Sequence, residues 1–386
     1  MKPRYYLLLI ALLTYDSMAQ TPSAELCQGA YFTEAQGKAL LTELAARYPT
    51  QAAWQERAAR IRAQIIEGGG LQTLPPRPTS APIIHSRKVM EGYTVENVAF
   101  ESLPGFYVTG NLYRPLNSAG RVPGILSPHG HWSNPEGRFQ EQTQTRCGSL
   151  ARMGAVVFVY DMVGHGDSRQ AQHKIQKAFK LQTINSIRSL DFLLSLPEVD
   201  SARVAVTGES GGGTQTFFLT ALDPRIKLSV PCVMVSAHFF GGCTCESGMP
   251  VHKKGDFQTN NVEIAALAAP RPMLLISDGA DWTKNTPDVE FPHIERIYQL
   301  FEKNKNVEFA HFPAEKHDYG PSKRAAMYRF IAKHFQLDLT LVFRPNGTLD
   351  ESAVRALDSA SLSVFDAQHP LPANALRGDE AVMNAL

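Results

Sequence analysis

The stretch from Arg203 to Thr220 reads RVAVTGESGGGTQTFFLT. It starts with a short apolar run, VAV at 204–206, of the kind that forms a buried parallel strand. GESGG at 208–212 then matches the pattern G-x-S-x-G, and the bulky apolar residues that follow are typical of a packed helix. The pattern predicts Ser210 at the apex of a sharp turn between strand and helix, where helix N–H groups point toward a reacting group.

A glycine-rich turn between a strand and a helix has a second common use, because such loops also bind phosphate groups. A catalytic interpretation of Ser210 therefore depends on its partners. A nucleophilic serine needs a base, a carboxylate that orients the base, and N–H donors for the oxyanion. In open sheets of mostly parallel strands these groups lie in loops at the carboxyl ends of the strands.

A carboxylate and a histidine follow Ser210 in the order that the α/β-hydrolase fold uses. The predicted strand 272–277 is followed by DGAD at 278–281, in which Asp281 takes the acid position and Asp278 is the reserve. Glu290 is a third, more distant candidate. His317 follows the last predicted strand, 307–312, and a closing amphipathic helix comes after it. The predicted triad is Ser210, Asp281 and His317.

The loop after the predicted strand 122–127 reads PHGHW at 128–132. In this fold the second oxyanion donor comes from that loop, so we predict the backbone N–H groups of Gly211 and His131 as donors, with Trp132 as an alternative. A tight turn with a surface histidine is the simpler interpretation. Trp132, His238 and Trp282 are the candidate substrate-binding side chains, although a packed loop is the simpler explanation for His238.

The sequence predicts four segments. Residues 1–19 resemble a cleaved secretory signal peptide, with Lys2 and Arg4 before an apolar run and small residues before Gln20; a buried N-terminal helix is the alternative. Residues 20–92 form a helical extension and a proline-rich linker, and Thr33 with Gln36 predicts a capping box at the start of the first helix. An α/β-hydrolase catalytic domain, a mostly parallel twisted sheet with helices on both faces, occupies 93–340, and 341–386 form a C-terminal strap.

The amino-acid composition limits the kinds of binding partner that the sequence predicts. The net charge of +1 and the pI of about 7.7 give no electrostatic case for nucleic acid or an anionic membrane surface. We expect a periplasmic or secreted protein without a membrane anchor, and the oligomeric state stays open. Five cysteines suggest structural thiols or disulfides, while a zinc site formed by Cys243 and Cys245 with His238 and His252 is the weaker interpretation.

From about residue 93 to 335 the chain resembles bacterial secreted α/β-hydrolases of the acetyl xylan esterase type, related to carbohydrate esterase family seven and the dienelactone-hydrolase-like proteins. The resemblance rests on GFYVTGNLYRP at 105–115, the His129-Gly130 pair, residues 200–213, and Asp281 with HDYG at 317–320. It implies a serine esterase for small acyl esters, chiefly acetyl esters, on carbohydrate. It implies no metal and no organic cofactor.

Two other functions remain open at this point. Another serine hydrolase of the same fold, such as a peptidase or a general carboxylesterase, would carry the same triad. A catalytically idle carbohydrate-binding relative belongs to a different class, and intact Ser210, Asp281 and His317 argue against it.

Overall fold

The computed structural model describes residues 26–386, so the predicted signal peptide at 1–19 lies outside the described residues. Within that range, nine strands form one large sheet and two very short strands form a separate hairpin. The strands are β1 (Ile83–Val89), β2 (Tyr93–Leu103), β3 (Phe106–Pro115), β4 (Val122–Leu126), β5 (Val156–Tyr160), β6 (Val199–Glu209), β7 (Leu228–Cys232), β8 (Lys253–Lys254), β9 (Phe257–Gln258), β10 (Met273–Asp278) and β11 (Val307–Phe312).

Helices cover the sheet and fill the connections between its strands. They are α1 (Glu34–Arg47), α2 (Gln51–Gly68), α3 (Glu141–Arg152), α4 (Ala178–Ser195), α5 (Gly211–Leu222), α6 (Thr244–Ser247), α7 (Asn261–Ala266), α8 (Glu290–Leu300), α9 (Pro321–Phe335), α10 (Ser359–Leu362) and α11 (Asp379–Ala385), with short 3₁₀ turns at Gly137–Phe139, Asn304–Asn306 and Leu339–Leu341. In the part of the chain that the structure describes, none of these helices combines the length and the apolar character needed to cross a membrane.

The large sheet has the strand order β1-β2-β3-β5-β4-β6-β7-β10-β11. Pairs among β1, β2, β3 and β5 are antiparallel, and all pairs from β5 to β11 are parallel. Every residue of β5 and β7 is buried, as expected for parallel strands covered by helices on both faces. The predicted α/β-hydrolase architecture is confirmed. Because parallel strands end at one edge, the loops after β4, β6, β10 and β11 meet there.

The two N-terminal helices form where the sequence predicts them. Thr33 and Gln36 make the predicted capping box at the start of α1, and Thr50 caps α2. Trp54 is 2 % exposed within the same apolar cluster as residues of α5 and α7, so the extension packs directly on the catalytic domain. A buried ion pair between Arg57 and Glu263 joins the two parts.

The sheet begins before the predicted boundary at residue 93. Strand β1 lies within the segment assigned to the linker and pairs with β2 at the edge of the sheet. Its sequence, IIHSRKV, lacks a clean alternation because an edge strand keeps charged side chains in solvent, which also discourages pairing with other chains.

The C-terminal segment 341–386 lies across the antiparallel end of the sheet and is fixed by polar contacts. The carbonyl oxygen of Leu362 accepts hydrogen bonds from Asn111 and from the buried guanidinium of Arg138. The N–H of Val364 donates to Asp167, which also pairs with Arg138. Asp167 therefore has a structural role.

Candidate active site

Ser210 is the single residue that links β6 to α5, and its backbone conformation is unusual. Its φ of 55° and ψ of −122° lie outside the regions that ordinary residues favour, and such strain persists only where the surrounding structure enforces it. The N–H of Ser210 donates to the carbonyl of Cys232 at 3.1 Å, and its own carbonyl accepts from Thr214 at 2.9 Å. These bonds fix the turn between strand and helix and turn the serine side chain outward.

Glycines flank Ser210 because another loop packs against the turn. A Cβ atom at Gly208 would lie 2.2 Å from the carbonyl oxygen of Pro128, and one at Gly212 would lie 2.3 Å from it. A Cβ at Gly211 would lie 2.5 Å from Cε1 of His131. Positions 208 and 212 therefore admit only glycine, because the loop that carries His131 packs directly against the serine turn.

The predicted oxyanion donors lie in these two adjoining segments. Gly211 is the first residue of α5, so its N–H has no partner in the preceding turn of the helix. Within residues 26–386, neither the Gly211 N–H nor the His131 N–H donates a hydrogen bond. Both groups are available to a ligand, and their role as oxyanion donors stays a prediction.

His317 and Asp281 form a direct pair. Nδ1 of His317 lies 2.5 Å from Oδ2 of Asp281. The other carboxylate oxygen of Asp281 accepts from both the N–H and the hydroxyl of Thr283 at 2.6 Å. The Asp281 side chain is 3 % exposed and that of His317 is 28 % exposed. A proton on Nδ1 shared with the carboxylate leaves Nε2 free to accept another.

Ser210 and the His317–Asp281 pair lie at the same edge of the sheet, with Trp282 between them. Trp282 lines the cleft that contains Ser210, and its ring centroid is 4.7 Å from that of His317. In the described range, 26–386, no hydrogen bond joins the Ser210 hydroxyl to His317. Catalytic hydrogen bonds often tighten only when substrate binds, so the complete triad stays a prediction.

Glu209, the residue before the serine, organises the site from beneath, and sequence reasoning assigned it no role. It is fully buried and its Oε1 accepts from the Gly130 N–H at 3.1 Å and the Trp132 indole N–H at 2.8 Å. Arg146 donates to its other oxygen at 2.6 Å. Burial acts to raise the pKa of Glu209, but Arg146 and the N–H donors hold that pKa below its ordinary value.

We expect Glu209→Gln to destabilise the protein and to slow ester hydrolysis. The substitution leaves the buried Arg146 guanidinium without its counter-charge, which costs about 3 kcal/mol or more of unfolding free energy. It also loosens the loop that carries the predicted donor of His131. Glu136→Gln is the control, because it removes a partly exposed pair with Arg169 and should cost about 1 kcal/mol or less. Equal urea midpoints for the two variants would contradict this account of Glu209.

The two reserve candidates for the catalytic acid have other partners. Asp278 is buried and lies 3.2 Å from the ammonium of Lys323. Glu290 is also buried, and its Oε1 accepts from the Ala237 N–H at 3.0 Å. Its other oxygen has no hydrogen-bond partner within residues 26–386. Only Asp281 of the three contacts His317.

Burial raises the pKa of Glu290 to about 7, well above its ordinary value. The folded protein therefore holds this proton more tightly than the unfolded chain does. The contribution of Glu290 to the free energy of unfolding is greatest below pH 4.5, the pKa of the unfolded state. It falls as the pH rises to 7 and is constant above pH 7, a total loss of about 3 kcal/mol.

Glu290→Gln should remove that loss, because the amide stays neutral at every pH. We expect the variant to gain about 3 kcal/mol relative to the wild type between pH 4.5 and pH 8 in urea unfolding. All other groups titrate alike in both proteins and cancel from the comparison. A difference in unfolding free energy that stays constant across this range would show that Glu290 ionises normally.

The predicted substrate-binding residues separate into two groups. Trp282 lines the Ser210 cleft, a space of about 320 Å³, together with His131, Phe239 and Glu246. Trp132 lines an adjoining cleft of about 530 Å³ beside His317. His238 is 8 % exposed, lies beside Ser236 and packs against α1. His238 lines neither cleft, because its loop packs inward against the N-terminal extension, and its role in substrate binding stays a prediction.

Cys147, Cys232, Cys243 and Cys245 are free thiols. His252 is buried and bonds Asn261, so neither it nor His238 accompanies the cysteines as the zinc hypothesis supposed. Instead His131 and His173 lie beside Cys243 and Cys245. These two histidines are distant from the cysteines in the sequence, which is why spacing within one loop did not reveal them.

Comparisons with known proteins agree with this geometry. Residues 179–241 match the acetyl xylan esterase family. The structure superposes on Methylesterase BT1017 with a TM-score of 0.85 and 40% sequence identity, covering 91% of this chain and 79% of that one. A glucuronoyl esterase from Teredinibacter turnerae shares the fold, with a TM-score of 0.57 and 13% identity over 74% of this chain and 86% of that one.

A curated relative from Bacillus subtilis, described as a hydrolase and named YtaP, is 27% identical over 39% of this chain. That match covers 54% of the relative, and a second curated match covers 38% of its own relative, so the chain spans about half the length of these proteins or less.

The sheet, the serine turn and the histidine–aspartate pair define an α/β-hydrolase. The chain belongs to the same family as Methylesterase BT1017, among the α/β-hydrolase esterases of the acetyl xylan esterase type.

Proposed function

We propose that this protein is a serine esterase that removes a small ester group from carbohydrate, with Ser210 as nucleophile. The observation that carries the proposal is the arrangement at one edge of the sheet. There Ser210, in its strained turn, lines one cleft together with His131, and His317, which pairs with Asp281, lines the adjoining cleft. The N–H groups of Gly211 and His131 donate no hydrogen bond within residues 26–386. These are the groups that acyl transfer through a covalent intermediate requires.

In the first step Ser210 Oγ attacks the ester carbonyl while Nε2 of His317 takes the hydroxyl proton. The N–H groups of Gly211 and His131 stabilise the oxyanion, and one such donor is worth about 3 kcal/mol of barrier. His317 then gives the proton to the departing alkoxide, and the alcohol leaves. In the second step His317 removes a proton from water, the hydroxide attacks the acyl-enzyme, and Ser210 is restored with release of the acid.

The cleft beside His317 supports a carbohydrate substrate. Its lining combines the Trp132 ring with the polar side chains of Gln140, Gln142 and Thr145. Hydroxyl-rich sugars need such hydrogen-bonding groups, and aromatic rings pack on their C–H faces. The smaller cleft at Ser210 is more apolar, with Phe239 stacked on Trp282 at 3.9 Å between ring centroids, and suits the small group that is removed.

Two ester types fit this arrangement. In an acetyl ester the sugar is the leaving alcohol, whereas in a methyl ester of a sugar acid the sugar stays on the acyl-enzyme and methanol leaves. The relative that is 40% identical over 91% of this chain is named a methylesterase, while the acetyl xylan esterase match covers only residues 179–241. These observations favour the methyl ester over the acetyl ester.

A substrate panel tests the proposal. Methanol release from a methyl-esterified polyuronate is measured beside acetate release from acetylated xylan, with p-nitrophenyl acetate and an aminoacyl p-nitroanilide as small probes. The proposal predicts rapid release from a polysaccharide and none from the anilide. Preference for the anilide would establish a peptidase, and hydrolysis of small esters alone would establish a general carboxylesterase. No turnover of any ester would favour the alternative in which the protein is a catalytically idle carbohydrate-binding relative.

We also propose that the protein is exported, because residues 1–19 have the charge, apolar run and small residues of a signal peptide. The N-terminal residue of protein recovered from the periplasm or medium tests this. We expect it to be Gln20. An intact leader on cytoplasmic protein is the contrary result.

A further inference from the structure

Four potential metal ligands converge beside the serine cleft. They are the imidazoles of His131 and His173 and the thiols of Cys243 and Cys245, and one ligand atom from each lies within 4.8 Å of all the others. The set comes from three separate loops: His131 follows β4, His173 follows β5, and both cysteines follow β7. We propose that these four side chains bind a single Zn²⁺ ion that holds the three loops together.

The separations are close to those that zinc requires. Tetrahedral coordination with Zn–S bonds of about 2.3 Å and Zn–N bonds of about 2.0 Å puts ligand atoms about 3.3–3.8 Å apart. Cys243 Sγ is 2.9 Å from Nε2 of His173, and Cys245 Sγ is 3.2 Å from Nε2 of His131. Small rotations of the four side chains therefore bring all distances into the tetrahedral range.

The surroundings of two ligands favour metal binding. Nδ1 of His173 lies 2.7 Å from the carbonyl oxygen of Val163, which accepts a proton from that nitrogen and leaves Nε2 with a lone pair aimed at the cluster. Metal-binding histidines make this kind of bond to a carbonyl or carboxylate. The N–H of Cys243 donates to Glu246 at 3.0 Å, which caps α6 and fixes the turn that presents both thiols.

The chemical type of the four ligand atoms determines which metal ion fits the site. Two thiols and two imidazoles are the Cys₂His₂ combination of closed structural zinc sites, and soft sulfur ligands disfavour Mg²⁺ and Ca²⁺. Binding displaces the two thiol protons to solvent, so two thiolates balance the charge of Zn²⁺ in a partly buried place. All four tetrahedral positions are then taken by protein, and the ion has a structural role rather than a catalytic one.

The ion would act on the active site through His131. The His131 ring lies against Gly211, and the backbone N–H of the same residue is the predicted oxyanion donor. Cys243 lines the Ser210 cleft together with His131. A metal bond to the His131 ring therefore fixes the loop whose N–H must point at the ester oxygen.

Metal binding is tested on the full chain without any activity measurement, so its failure is separate from failure of the proposed function. Reduced protein is incubated with Zn²⁺ alone, desalted and assayed for bound metal. We expect about one Zn²⁺ per chain for the wild type and for the control Cys27→Ala, whose thiol is not one of the four ligands. Nearly all of the bound zinc should be lost in two variants, the double variant Cys243→Ser with Cys245→Ser and the single variant His173→Gln.

Cobalt provides a readout on the wild type that does not depend on variants folding. Co²⁺ in a Cys₂His₂ site shows thiolate charge-transfer bands and the intense visible bands of tetrahedral geometry, and Zn²⁺ should displace it and bleach them. Little retained Zn²⁺ on reduced wild-type protein, a cobalt spectrum without thiolate bands, equal zinc in the double variant, or a Cys243–Cys245 disulfide that forms in the presence of Zn²⁺ would each overturn the proposal.

Discussion

Replacing Ser210 with alanine is expected to lower kcat on an ester substrate by about 10⁴-fold or more, because no other group can form the acyl-enzyme. Alanine keeps the Cβ atom, and the Ser210 hydroxyl makes no hydrogen bond within residues 26–386, so the fold and the thermal midpoint should be unchanged. The measurement is kcat on p-nitrophenyl acetate and on the preferred polysaccharide.

Ser322→Ala is the matched control for this prediction. Ser322 is an exposed serine at the start of α9 that lines neither cleft, and its loss should leave kcat within about twofold of the wild type. Retained turnover in a folded Ser210→Ala protein would show that another group attacks the ester.

Asp281→Asn is expected to lower kcat by about 10³- to 10⁴-fold while substrate binding changes little. The amide cannot accept the Nδ1 proton in the way the carboxylate does, so it favours the wrong tautomer of His317 and no longer stabilises the imidazolium. Oδ2 of Asp281 is 2.5 Å from Nδ1, so the effect should be direct.

Asp278→Asn separates this effect from a general loss of negative charge. Asp278 lies three residues earlier and pairs with Lys323 instead of His317. Its replacement should lower the thermal midpoint, because Lys323 is buried, and should affect kcat much less. The assignment of the acid fails if Asp278→Asn loses the greater part of kcat and Asp281→Asn does not.

The sequence predicts much of the fold because each of the signals used lies within a few neighbouring residues. The capping box at Thr33 and Gln36, the apolar run before Ser210 and the glycines around it each correspond to an observed element. Strand β1 was missed because an edge strand with one solvated side does not need an apolar alternation. The boundary at residue 93 therefore left it outside the sheet.

The parts of the site that sequence reasoning did not predict depend on contacts between distant segments. Glu209 occupies the variable position of G-x-S-x-G, and only the packed structure shows it holding Gly130 and Trp132 from a loop some eighty residues earlier. The cluster of His131 and His173 with the two cysteines joins three loops. No single stretch contains that pattern, because sheet topology rather than spacing brings the ligands together.

The most direct test of the central claim is covalent labelling of the nucleophile. The protein is treated with a fluorophosphonate that reacts with activated serines, and the adduct is located by mass spectrometry of the intact chain and of its peptides. The account predicts one adduct per chain, on Ser210, formed much more slowly in His317→Ala. An adduct on another residue, or labelling of Ser210 at an unchanged rate without His317, would contradict it.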